Sequence, residues 1–175
     1  KFNGWGNKFE KCESVKEMPK LILEKLNIKR FTSELILEGG GVSFDGQGTM
    51  ITTEQMLMHK NRNASFSKIQ IEKEVRDLLG IEKVIWLKKG LVEDESTDGH
   101  VDCVAEYLAP KKVLVQTVYD KKNPNYELLK INLEILKKED DAQGNKLEII
   151  EMPYLPYFPQ LYNNNQYVSP YTNYY

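Results

Sequence analysis

The sequence predicts an α/β protein assembled from two copies of one unit: strand, strand, helix, strand. Three observations carry that prediction. Short apolar or alternating runs bounded by turn residues give strand signals, apolar residues recur at helical spacing over 68–79 and 125–138, and the same succession of signals occurs twice. In the first copy, residues 34–37 and 41–44 read as strands, Asp45-Gly46-Gln47-Gly48 as a turn, and 49–53 as the next strand. Ser67 caps a helix over 68–79, in which Ile69, Ile71, Val75, Leu78 and Leu79 form an apolar stripe and Gly80 ends the segment. Val84-Ile85-Trp86-Leu87 closes the copy as a short strand. The second copy runs as a strand over 100–108, turns at Ala109-Pro110-Lys111-Lys112, and continues as a strand over 113–118, a helix over 125–138 and a strand over 147–151. Repeats of this size fit similar modules arranged around a centre.

Residues 1–152 therefore read as one partial domain with modules at about 31–90 and 98–152. Residues 153–175 differ in character: they hold seven of the ten tyrosines and four of the seven prolines, so they read as a long connection. Prolines at 153, 156 and 159 favour extended chain, and tyrosine rings there could wall a groove. Residues 171–175 resemble the opening of a further strand.

Composition narrows the function. The 175 residues are 41% hydrophobic, enough for a sizeable core, and 24 basic against 26 acidic residues leave no field that would draw nucleic acid or an anionic membrane. No apolar run approaches the roughly 20 residues needed to span a bilayer, and no signal-peptide layout is present. Cys12 and Cys103, alone and in dissimilar settings, suggest a reducing compartment, the cytoplasm, rather than a disulfide framework. The opening Lys1, with no methionine, suggests a fragment or a processed chain.

The chemistry-bearing residues are Thr97-Asp98-Gly99-His100-Val101-Asp102 and Glu38-Gly39-Gly40-Gly41. Strand alternation would put His100 and Asp102 on one face, with Val101 and Cys103 on the other. Glu38 ends an apolar run just before three glycines, where the backbone can bend and a substrate can approach. One imidazole and two carboxylates suit a cationic substrate. The duller alternatives are a satisfied polar pair at 100 and 102, a strand-ending Glu38 and a glycine bulge. The glycines do not make a phosphate cradle, because no Gly-Lys-Ser/Thr follows. Cys103 reads as a packed core residue whose neighbouring carboxylate would raise its thiol, and neither it nor His59 has zinc-ligand spacing.

Taken in order and spacing, Phe2-Asn3-Gly4-Trp5-Gly6, Leu37-Glu38-Gly39-Gly40-Gly41, Asp45-Gly46-Gln47-Gly48-Thr49, Asn61-Arg62-Asn63, the run from Leu79 to Leu87, Thr97 to Asp102 and Asn123-Pro124-Asn125 are similar to the agmatine deiminases. These belong with the bacterial-type peptidylarginine deiminases in the guanidino-group-modifying superfamily. The resemblance implies a pentein fold, an α/β propeller of five ββαβ modules, of which this chain would hold about two to two and a half. It implies a thiolate that attacks the guanidinium carbon, expels ammonia and leaves a thiouronium that water hydrolyses. His100 would carry protons, Glu38 would orient it, and Asp102 would bind the guanidinium together with an aspartate that has no counterpart here. The nucleophilic cysteine also lies outside this chain. Either Asp94 or Glu95, in an acidic run with one extra residue, would line the substrate channel.

For agmatine the products would be ammonia and N-carbamoylputrescine, a step towards putrescine, with no metal and no organic cofactor. Homo-oligomers or association with the remaining modules are the partners implied. Two other readings stay open. One is a peptidylarginine or arginine deiminase, which the cysteine after Asp102 favours; the other is an incomplete pentein half that serves as a binding or structural protein.

Overall fold

The computed structural model describes residues 1–9, 12–154 and 172–173. The repeat expected from sequence is present in the topology. Strand β1 (Val42–Phe44) pairs antiparallel with β2 (Thr49–Thr53), and β2 pairs parallel with β3 (Lys83–Leu87). The second sheet repeats this with β4 (Ala105–Ala109), β5 (Lys112–Thr117) and β6 (Glu148–Pro153). A parallel pair needs a crossover. Helix α4 (Lys68–Leu79) supplies it in the first module and α5 (Tyr126–Lys138) in the second. The remaining elements are a single turn α1 (Gly4–Asn7), helix α2 (Glu13–Lys25) and the short α3 (Glu54–Leu57).

Local chemistry sets the helix limits. Ser67 and Gln70 form a reciprocal capping box at the start of α4, and Gly80, at φ 71°, closes it in the left-handed conformation that a side chain resists. Of the predicted stripe, Ile71 and Val75 are buried, whereas Ile69, Leu78 and Leu79 are exposed. Helix α5 buries Leu129, Asn132 and Leu136. One core joins both modules: Ile51, Ile85 and Leu87 pack with Val104, Val113, Val115, Leu129 and Leu136. The first strands of the two modules also meet, since Ser43 Oγ donates to Glu106 Oε1 (2.6 Å) and accepts from the Tyr107 amide (2.9 Å).

One expected strand is absent, and the one expected over 100–108 is shortened to its second half. Residues 34–37 join no sheet: the Leu37 amide donates to the Lys1 carbonyl (3.1 Å), the N-terminal amine donates to the Leu35 carbonyl (2.6 Å), and the Asn63 side chain serves Ile36. Asn63 Oδ1 accepts from the Ile36 amide (2.8 Å) and its Nδ2 donates to the Ile36 carbonyl (2.9 Å). Residues 100–104 are likewise no strand. Asp98 and Gly99 have φ of 63° and 90°, a 3₁₀ turn covers Val101–Cys103, and pairing begins only at Ala105. Helix α2, with Pro19 inside it, occupies a stretch to which the sequence reading assigned no element. Most of the predicted connection and strand start over 153–175 lies outside the described residues. Thr172 is described, and its hydroxyl donates to the Asp102 carbonyl (2.5 Å). No described helix is long and apolar enough to cross a membrane.

Candidate active site

Glu38 and His100 occupy equivalent places in the two modules. Each immediately precedes a three-residue 3₁₀ turn, Gly39–Gly41 or Val101–Cys103, that leads into the module's first strand. The two turns lie against each other. A Cβ on Gly40 would sit 2.6 Å from His100 Nδ1 and closer still to the Asp102 carboxylate, so only glycine allows this approach.

The pair is buried: Glu38 is 5% and His100 6% exposed. His100 Nε2 meets Glu38 Oε2 at 2.6 Å. On its other side Glu38 is gripped by Arg62, whose Nε and Nη2 donate to the two carboxylate oxygens at 2.8 and 3.0 Å. Arg62 also donates to Asn61 Oδ1 (3.0 Å), Asp98 Oδ2 (2.6 Å) and the Thr97 carbonyl (2.9 Å). Burial works to raise the Glu38 carboxyl, but the hydrogen bonds from His100 and Arg62 more than reverse it and hold the group below the usual carboxylate range. Asp98 behaves alike: burial opposes ionisation, and donation from Lys8, Arg62 and Asn61 brings it down to about 2.

Asp102 is the exception. Its carboxylate lies 4.0 Å from His100 Nδ1 and accepts from the Cys103 thiol (3.3 Å); no lysine or arginine among the described residues pairs with it. Burial therefore raises its carboxyl, with Asp94 adding repulsion against the weaker pull of His100 and the thiol. Asp102, His100 and Gly40 line a cavity of about 420 Å³ whose other walls are Trp5, Phe9, Ser96 and Thr97. Trp5 is held at φ 53° between glycines at φ 69° and 78°, and its ring meets Phe2 and Phe9 edge-on at 4.9 and 5.2 Å. An aromatic wall, an unbalanced carboxylate and an imidazole together suit a cation on which a proton must be moved.

The structure thus brings Glu38, His100 and Asp102 together, by two facing turns rather than by strand alternation. Asp94 lies apart from the cavity lining. It accepts from the amides of Thr97 (3.1 Å), Gly99 (3.1 Å) and His100 (2.8 Å) and from the Ser96 (3.2 Å) and Thr97 hydroxyls, so it shapes the loop that delivers His100. Glu95 is exposed and offers its carbonyl to Lys8. Cys103 is a core residue whose thiol burial and the Asp102 and Asp94 carboxylates push up. Cys12 offers its Sγ to the Phe9 carbonyl (3.4 Å). Trp5 and Phe9 are cavity residues to which the sequence reading gave no role in the chemistry, with the Gly-Trp-Gly run the one available signal for Trp5; Arg62 and Asp98 were quoted only within their motifs. Among the described residues no group of three His, Cys, Asp or Glu could hold a metal ion.

The model of the Porphyromonas-type peptidyl-arginine deiminase family matches residues 1–175. The chain belongs to that family. Among curated relatives, an agmatine deiminase of Medicago truncatula is 40% identical over 155 residues, which are 86% of this chain and 41% of the plant protein. Among solved structures, the Enterococcus faecalis agmatine deiminase superposes with a TM-score of 0.80 at 35% identity, covering 87% of this chain and 43% of that one. An agmatine deiminase of C. jejuni with substrate bound superposes at 0.79 and 29% identity, covering 99% and 50%. The deiminase family member described here therefore has the pentein-type α/β fold in part, and it spans about half the length of the relatives it matches.

Proposed function

We propose that this chain carries the proton-transfer and cation-binding half of an agmatine deiminase active site. Asp102 supports the reading most directly: a carboxylate partly withdrawn from water, beside an imidazole, with no lysine or arginine among the described residues to balance it. A guanidinium there would supply the missing charge and donate to the carboxylate in its own plane. Agmatine deiminases are also the relatives named at 37–40% identity, and the second reading, a peptidylarginine deiminase, draws its support from the family's description.

A cysteine thiolate from outside this chain attacks the central carbon of the guanidinium and forms a C–S bond. His100, protonated, gives its proton to the departing nitrogen; the C–N bond breaks and ammonia leaves. Water then attacks the thiouronium carbon and passes a proton to the now neutral His100. The C–S bond breaks as the carbonyl forms, the remaining hydroxyl proton leaves to solvent and is taken up by the ammonia, the thiolate is restored, and N-carbamoylputrescine is released. Glu38 steadies the imidazolium through Nε2 in both halves of the cycle. We place the protein in the cytoplasm, on the ground of its unpaired cysteines. It would act as a homo-oligomer or with its remaining modules in place.

The test is to incubate the full-length protein with agmatine, free arginine and a peptidylarginine and to follow ammonia and the carbamoyl product by mass spectrometry. Agmatine should be converted. Conversion of a peptidylarginine alone would favour the second reading, and no conversion of any substrate would favour a binding or structural role.

A further inference from the structure

Arg62 is the cation of this site that the proposed chemistry leaves unused, and its geometry is complete. Its side chain has no exposure, and all five of its N–H donors are spent, on Glu38 (twice), Asn61, Asp98 and the Thr97 carbonyl. A lysine has three donors that diverge from one nitrogen and could not span both carboxylate oxygens.

We propose that Arg62 is a positioning residue that fixes which nitrogen of neutral His100 carries the proton. By occupying both oxygens of Glu38, the guanidinium fork keeps that carboxylate ionised and therefore an acceptor only. His100 Nε2, 2.6 Å away, must then be the donor in the neutral ring. The lone pair falls on Nδ1, on the side of Gly40 and Asp102, both of which line the cavity. The charged and titratable groups facing this unit are Glu38 and Arg62 from the first module, Asp94, Asp98, Asp102 and the Cys103 thiol from the loop and turn around His100, Lys8 from the N-terminal segment and His59 beside Asp98. A salt bridge present only for stability would leave the tautomer undetermined.

The inference rests on His100 as the proton carrier, but its test reads ring nitrogens and not turnover, so it can fail while agmatine hydrolysis stands, and the converse. In the full-length protein with ¹⁵N-labelled histidine and ¹³C-labelled glutamate, two-bond proton–nitrogen spectra identify the protonated nitrogen of neutral His100. The wild type should show a single tautomer with the proton on Nε2. In Arg62→Met the Glu38 carboxyl should titrate at higher pH and the tautomers should mix, with Arg62→Lys failing to restore the wild-type pattern. If Arg62→Met does not fold, the wild-type spectrum still decides. A proton on Nδ1 in the wild type, or an unchanged single tautomer in a folded Arg62→Met, would overturn the proposal.

Discussion

Glu38 and Asp102 are carboxylates set against the same imidazole, the first buried and the second partly buried, yet their pKa values shift in opposite directions. Burial disfavours the charged form of both. Glu38 has Arg62 and His100 to repay that cost; Asp102 has a thiol and a histidine nitrogen 4.0 Å away. The difference separates machinery from vacancy: the protein completes the first charge itself and leaves the second for a ligand to complete.

Breaking the completed side should have the largest effect. Glu38→Gln leaves the buried Arg62 with Asp98 as its one carboxylate partner and should cost about 3 kcal/mol in a denaturant melt, the lower end of the penalty for removing a partner of a buried ion pair. Next comes the contact that brings the two acids to one imidazole. Gly40→Ala forces the facing turns apart, should cost about 1–3 kcal/mol as other overpacked sites do, and should abolish ligand binding while most of the fold persists by circular dichroism.

The vacant side should respond with the opposite sign. Asp102→Asn removes a charge that burial disfavours, so the ligand-free protein should gain about 1 kcal/mol in the same melt. Agmatine binding should weaken by roughly 10- to 100-fold, the worth of a hydrogen bond to a charged group. A stability loss at Asp102 with unaltered binding would erase the distinction between the two carboxylates.

Acid titration should give the smallest and most gradual effect. Asp98 is depressed from 3.8 to about 2 and Glu38 is also lowered, so each contributes stability that is full above its unfolded value and lost as pH falls through its folded one. Asp102, raised, contributes the reverse: its stability is present at low pH and is lost as pH rises through its folded value. Melts of the wild type should therefore weaken below about pH 4, where Asp98 of the unfolded chain begins to protonate, and the gain that Asp102 gives the wild type as pH falls towards that range should be missing from Asp102→Asn.

The fold was legible where one physical signal settles each element. The capping box at Ser67, the left-handed Gly80 and the parallel apolar strands follow from local sequence. The apolar run over 34–37 reads as a strand but is none, and nothing near it in the chain announces that Lys1 and Asn63 will take up its backbone groups instead. The site followed the same division. Glu38, His100 and Asp102 could be singled out by residue type, but the reason given for their meeting was incorrect, since the juxtaposition comes from Gly40 and two 3₁₀ turns in separate modules. Asp94 was a channel candidate through the family resemblance of its acidic run; its carboxylate turned out to be occupied by amides and hydroxyls of its own loop. Arg62 escaped because a guanidinium's five partners are distributed over 24 to 36 residues of chain in addition to its neighbour.

The most direct measurement is a crystal structure of the full-length protein with agmatine, its turnover prevented by substitution of the nucleophilic cysteine. The guanidinium should lie in the plane of the Asp102 carboxylate, with nitrogens at about 2.7–2.9 Å from its oxygens and His100 Nδ1 facing the reacting carbon. Agmatine held elsewhere, with Asp102 still unpaired, would contradict the central claim that this carboxylate is the charge the protein leaves for its substrate.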